Sequence, residues 1–260
     1  MTLNSPSYQV VNLGVDFIVG REKKSILSEL NFTVGKGEFL SICGPSGTGK
    51  TTLLRALCGL VATTPGSLVR YAEDEVTSPP EGVVLVFQNY SASLLPWRSV
   101  ARNVALGLEG KVPRAEMNER ISRALELVGL AGSKKDYPWR LSGGMQQRVQ
   151  IARALAVRPD VLLMDEPFGA LDAMTKSAMQ DELQRLRDAT NATVVFVTHD
   201  IEEAVYLSDR VLVINGTPAT ITHEIGVDLP RPRDQITTKE SDEYLKLRHK
   251  VHQAIHAVAP

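Results

Sequence analysis

The segment GPSGTGKT at 44–51 sets three glycines, a lysine and a threonine hydroxyl inside one short loop, a set suited to holding a polyphosphate. Gly44, Gly47 and Gly49 let the backbone wrap closely and turn its N–H groups toward phosphate oxygens. Lys50 adds a mobile cation, and the Thr51 hydroxyl is a candidate magnesium ligand. A helix starting here would add the positive end of its dipole. Gly, four residues, then Gly-Lys-Thr is the P-loop pattern, and its flanks fit: apolar EFLSIC precedes it and TLLRALCGL, with leucines at helical spacing, follows it. A glycine-rich turn could carry the same letters by accident, but not with that strand before and that helix after. The loop implies a nucleoside triphosphate and leaves open what the energy is used for.

A phosphate cradle of this kind needs a carboxylate on a neighbouring strand to hold magnesium. VLLMDE at 161–166 is an apolar strand ending in two acids. Asp165 is placed to orient the metal, and Glu166 beside it to polarise a water attacking the terminal phosphate. Taken alone, the pair could equally be the solvated end of any buried strand. A third segment, LSGGMQQR at 141–148, puts Ser142 at the start of a helix as its cap, with Gly143 and Gly144 opening the first turn to an anion. That is an anion receptor with no nucleotide loop of its own nearby.

LSGGMQQR resembles the signature motif of ATP-binding-cassette (ABC) transporters, with Met145 where glutamine is usual. The resemblance is dense from residue 10 to about 215. It implies ATP and Mg²⁺ as ligands. Gly44, Pro45, Ser46, Gly47, Thr48, Gly49, Lys50, Thr51 and Thr52 then hold the nucleotide, and Ser142, Gly143 and Gly144 face the nucleotide of a second subunit. Glu166, His199 and Gln88 become the catalytic set, and Thr51, Gln88 and Asp165 the metal set. Gln88 matches the Q-loop glutamine, Ala170-Leu171-Asp172 the D-loop that crosses the dimer interface, and His199 the switch histidine. Phe17 either matches the aromatic residue that stacks on adenine or simply continues the buried face of its strand.

Within the family, FQNYSASLLPWRSVARNV at 87–104 and DLPRPRD at 228–234 resemble importers of nitrate, sulfonate, taurine or bicarbonate. Segment 89–97 falls where family members receive the coupling helix of the membrane subunit. Ser91 and Ser93 offer hydrogen bonds there, and Leu94, Leu95 and Trp97 offer apolar surface; Trp97 is an interface anchor or a local core pin. The resemblance also implies a second ABC ATPase subunit, transmembrane permease subunits and, indirectly, a solute-binding protein, at the cytoplasmic face of a bacterial plasma membrane. A soluble, non-transport ABC ATPase is the alternative. The stretch from Lys50 to Ser142 is too short for the long coiled-coil insert of chromosome and repair proteins.

These residues need rigid elements to hold them. Short apolar runs at 38–43, 83–87, 161–164 and 193–197 alternate with helical stretches, the pattern of a parallel sheet covered on both faces. Near the start, Val11, Leu13, Val15 and Phe17 alternate with polar or small residues, which predicts a strand with one buried face. Strand signals vanish between 89 and 157, where 99–109 and 114–129 read as helices. The expected fold is α/β, a P-loop NTPase ABC ATPase domain: a mainly parallel sheet core, an N-terminal antiparallel β portion and a helical subdomain insert at about 89–157. The expected division is an ATP-binding domain at 1–235 and a helical extension at 236–260. There Tyr244, Leu247, Val251, Ile255 and Val258 form one stripe that packs back on the core, and His249, His252 and His256 fall on a solvated face rather than on a metal.

Composition narrows the partners. A net charge of -1 argues against binding driven by nucleic-acid phosphates or an anionic membrane. Cys43 and Cys58 match no metal spacing and read as buried thiols. The first ten residues lack the pattern of a signal peptide. No apolar run approaches the roughly 20 residues of a membrane span.

Overall fold

The computed structural model describes residues 6–257, so Val258 of the predicted stripe lies outside the described residues. The chain starts with two long strands, β1 (Tyr8–Val19) and β2 (Glu22–Val34), joined by a tight turn through Gly20 in the left-handed region. β3 (Phe39–Cys43) runs into the 44–49 loop and α1 (Lys50–Leu57). β4 (Leu68–Tyr71), β5 (Asp74–Glu75) and β6 (Val83–Val86) follow. Next comes a stretch without strands that holds α2 (Tyr90–Ser93), α3 (Val100–Ala105), α4 (Arg114–Leu127) and α5 (Gly143–Val157). Then β7 (Val161–Asp165), α6 (Ala173–Thr190), β8 (Thr193–Val197), α7 (Ile201–Leu207), β9 (Arg210–Gly216), β10 (Ala219–Gly226) and α8 (Asp242–His256) complete the fold.

All ten strands join one sheet in the order β5-β4-β1-β2-β10-β9-β3-β8-β7-β6. β9, β3, β8, β7 and β6 pair in parallel, while β1, β2, β4 and β5 form an antiparallel wing. Every residue of β3, β7 and β8 is buried, as expected of strands with helices on both faces. β6 departs from that expectation. It is the edge strand, and only Val86 is fully buried.

The alternation read for β1 is also corrected at one position. Val11 is exposed and Val10 is buried, because the register with β2 shifts between Val10 and Leu13. Asn12 sits at φ 49° in this bulge, so the strand's inward face changes parity there. Leu13 and Val15 then face inward as expected.

α4 packs on α3 and on α5, which lies against β6, with Ile121, Leu125 and Val128 in the core. α8 lies against α7, β9 and β10, burying Tyr244, Val251 and Ala254. Leu247 and Ile255 are partly buried against the same cluster. Cys43 and Cys58 are both buried. Among the described residues no helix is long and apolar enough to cross a membrane.

Register places the chemistry. Ile42 pairs with Val197 and Val197 with Asp165, so β3, β8 and β7 end at one level. Gly44, Glu166 and Thr198 leave the sheet within a residue or two of one another, and Gln88 leaves next door, two residues past Val86. Ligand sites of open parallel sheets form outside such carboxyl ends.

Candidate active site

Gly44 is held at φ 158°, and a Cβ there would overlap the carbonyl oxygen of Ile214 in β9. Gly49 caps α1 in the left-handed conformation, φ 85°, and a Cβ there would press on Ile26 and Leu27 of β2. Both positions therefore exclude side chains on steric and conformational grounds. Thr48 fastens the loop by donating to the Pro45 carbonyl at 2.9 Å.

Lys50 is buried, and its Nζ donates to the carbonyls of Gly44 and Pro45, each at 2.8 Å. Among the described residues no carboxylate forms an ion pair with it. Burial lowers its pKa, while Glu166, Cys43 and Asp165 act in the opposite direction. A buried ammonium answered only by neutral carbonyls is under-compensated, so this cradle fits a polyanion.

Asp165 is buried at the end of β7, and burial pushes its carboxyl up; a hydrogen bond from Thr51 pulls it down. The adjacent Thr51 hydroxyl and Asp165 carboxylate are hard oxygen donors of the kind magnesium takes. Glu166 follows at φ 45°, an uncommon conformation for a residue with a side chain, and its N–H donates to Val197 at 3.0 Å. Its Oε2 receives Gln88 Nε2 at 3.0 Å and lies 3.2 Å from His199 Nδ1.

A cleft of about 530 Å³ collects these groups. Ser46, Gly47, Gly49, Lys50, Thr51 and Thr52 line its loop side, and Gln88, Glu166 and His199 line the facing side. Phe17 and Ile26 close one end, with Phe17 39% exposed, so Phe17 is at the cleft rather than in the core. Gly44 and Thr48 are buried within the loop, and these two and exposed Pro45 are not among the lining residues.

Ser142, Gly143 and Gly144 do not reach this cleft. Ser142 caps α5, its Oγ accepting from Met145 N at 3.3 Å. Gly143 packs under the Tyr90 hydroxyl and Gly144 beside the Ala170 carbonyl. α5 is wired back to the Gln88 segment: Gln150 Nε2 donates to the Phe87 carbonyl at 2.9 Å, and Arg153 to Ser93 O at 2.8 Å.

A second cleft, of about 560 Å³, shares Thr51 and Gln88 with the first, takes in Asp165, which does not line the first, and opens past Phe87 and Arg153. Trp97 is 71% exposed, so it is not a core pin. Two residues expected on that docking surface are corrected. Leu94 is in the core, because α3 and α5 close over it, and the Ser93 hydroxyl is committed to Tyr90 O and Arg153. The Ser91 side chain lies outside the described residues.

Sequence reasoning missed Ile26, whose strand was not read, and the polar side chains behind His199: Lys176, Thr198 and Glu203. A run of alternation in LSELNFTV could have shown β2; nothing local marks Lys176.

The description "ABC transporter" fits a family profile that matches residues 27–169. The nitrate import ATP-binding protein NrtD of Synechococcus elongatus is 40% identical over 95% of this chain and 90% of its own length. The bicarbonate transport ATP-binding protein CmpD of a Synechocystis strain is 42% identical over 86% of this chain and 80% of its own. A dimeric ATP-binding cassette solved in a post-hydrolysis state with ADP and Pi superimposes with TM-score 0.76 at 30% identity, covering 85% of this chain and 98% of that one. With the loop, the paired acids and the capped α5 in place, the chain belongs to the ABC transporter family as an ATP-hydrolysing, ATP-binding subunit.

Proposed function

We propose that the 530 Å³ cleft binds ATP with its phosphates over the 44–52 loop and its adenine against Phe17, and that Glu166 activates the attacking water. The observation that carries this reading is the convergence of Gln88 and His199 on one oxygen of Glu166, across the cleft from Lys50. Gln88 and His199 fix that carboxylate's orientation, so its free oxygen and lone pairs are aimed before substrate arrives. Lys50 draws the terminal phosphates toward the loop. Thr51, Asp165 and Gln88 would hold Mg²⁺, which would neutralise charge building on the phosphate oxygens.

Ser142, Gly143 and Gly144 complete the cleft of a second copy or a related subunit in a head-to-tail dimer. Their separation from the cleft of their own chain supports this. Exposed Trp97 anchors a membrane-spanning permease on the 89–97 segment, whose Asn89, Ala92 and Ser93 line the second cleft, at the cytoplasmic face of the membrane. The relatives named for nitrate and bicarbonate support a small inorganic anion as the solute. The test is the assembled transporter in vesicles. ATP hydrolysis should rise when its solute-binding protein carries nitrate or bicarbonate, and the Glu166→Gln complex should show no rise. Stimulation by neither anion overturns the solute; undiminished hydrolysis by the Glu166→Gln complex overturns the site.

A further inference from the structure

His199 is poorly held by packing. Its side chain is 63% exposed, and a cavity of about 140 Å³ lies behind it and Glu166, between Phe168, Leu171 and Lys176. Apart from its 3.2 Å contact with Glu166, a ring with solvent on one side and a cavity on the other keeps its place through its backbone. That backbone is tied on both sides. The Thr198 hydroxyl donates to Glu203 Oε2 and accepts from Asp200 N at 3.0 Å. Asp200 Oδ1 caps α7, accepting from Glu202 N at 2.8 Å and Glu203 N at 3.3 Å.

Both carboxylates meet one cation. Lys176 Nζ lies 2.6 Å from Asp200 Oδ2 and 2.7 Å from Glu203 Oε1. Lys176 stands in the first turn of α6, where its N–H donates to the Asp172 carbonyl at 2.8 Å, and Asp172 caps that helix. A single ammonium therefore ties the start of α6 to Asp200, the residue after His199, and through Glu203 to Thr198, the residue before it. Burial pushes the Glu203 carboxyl up, and Lys176 and Thr198 pull it down. Without Lys176, a buried carboxylate and its neighbour would repel one another directly beneath the His199 backbone.

We propose that Lys176 is a positioning residue for hydrolysis: it transmits the placement of the Asp172 turn to His199, and so sets the His199–Glu166 contact. This rests on the hydrolytic reading of the cleft and adds a route into it. Asp172 belongs to the segment that family resemblance puts at the subunit interface. Approach of a second copy at that turn thereby acts on the catalytic carboxylate through one side chain.

The experiment is a double-mutant cycle in the assembled transporter, with kcat and KM for ATP measured for Lys176→Met, His199→Ala and the pair. A displacement of His199 by about 1 Å can cost up to about 100-fold in rate. Lys176→Met should lower kcat by that order with KM little changed, and Lys176→Arg should recover most of it. In the His199→Ala background Lys176→Met should add almost nothing, because its effect runs through His199. Additive losses overturn the proposal. If Lys176→Met destabilises the protein, Lys176→Met/Glu203→Gln removes the buried unpaired charge; thermal stability should return while kcat stays low, and recovery of both overturns the proposal. A normal kcat for His199→Ala defeats the hydrolytic reading itself, whereas an impaired His199→Ala with a normal Lys176→Met defeats only the role of Lys176.

Discussion

Gln88 and Glu166 meet at 3.0 Å although 78 residues separate them in the chain. One closes the edge strand β6 and the other closes its neighbour β7, so the contact is made by strand adjacency. The same Gln88 opens the segment that leads to exposed Trp97. A displacement of that segment therefore reaches the carboxylate through one amide.

Glu166→Gln keeps the side chain's shape and removes its charge. ATP should still bind, while turnover falls by about 10²–10⁴-fold, the usual contribution of a positioned base. Bound ATP should then hold the variant as a dimer on size-exclusion chromatography, as the proposed head-to-tail site requires. Unchanged turnover removes Glu166 from its role.

Sharing of sites between subunits is tested by covalently linked dimers. Lys50→Ala on one half and Ser142→Arg on the other disable the same composite site and leave one intact. Both on one half disable two. Higher ATPase activity in the first arrangement is the expected outcome, and equal activities under conditions where one site suffices count against composite sites.

Asp165 gives a pH signature. Its folded pKa lies above the unfolded value of about 3.9, so ionisation opposes folding. Its contribution is thus lost as pH rises through the range just above that value, and the deficit persists at neutral pH. Asp165→Asn should therefore melt higher than the nucleotide-free parent at pH 7–8, by about 2–4 °C for each kcal/mol gained, with the gap closing toward pH 4. The same variant should lose magnesium-dependent ATP hydrolysis. A gap that is flat with pH, or reversed, contradicts the burial argument.

Trp97 is the coupling probe. Truncating a well-buried interface tryptophan commonly costs about 2 kcal/mol or more of binding. Trp97→Ala should weaken attachment to the membrane subunits or uncouple uptake from hydrolysis, and leave ATP affinity and melting of the isolated subunit unchanged. Loss of stability in the isolated chain would place the docking surface elsewhere.

Most of the residues that converge on the cleft were legible because their signals are local. Glycine placement at 44–49, two acids after VLLM, and a serine before two glycines each carry their chemistry within a few residues. Four of the parallel strands, β3, β6, β7 and β8, were equally plain as apolar runs, whereas β9, which starts at Arg210 and ends in Asn215 and Gly216, was not read. What escaped reading depends on distant partners. The Asn12 bulge reverses the inward face of β1 in response to β2, and no residue near Val11 announces it. Leu94 and Trp97 look alike in sequence, but α3 and α5 cover one and leave the other in solvent. Lys176 matters only because α6 brings it to Asp200, 24 residues later in the chain.

The uniform burial of β8 has its own consequence. A strand with one wet face is kept in alignment by the cost of turning its apolar residues outward. TVVFV has no wet face, so a slip by one residue would bury much the same groups and incur little such cost. Yet that slip would carry His199 away from Glu166 by the length of a residue. Alignment must come from the two threonines at its ends, which act as locating pins. Thr193 Oγ1 engages Ser7 and the Gly37 N–H below; above, the Thr198 hydroxyl engages Glu203 and the Asp200 N–H, while its backbone N–H donates to the Ile42 carbonyl. The alignment of His199 with Glu166 is thereby entrusted to two hydroxyl groups that do not line the 530 Å³ cleft.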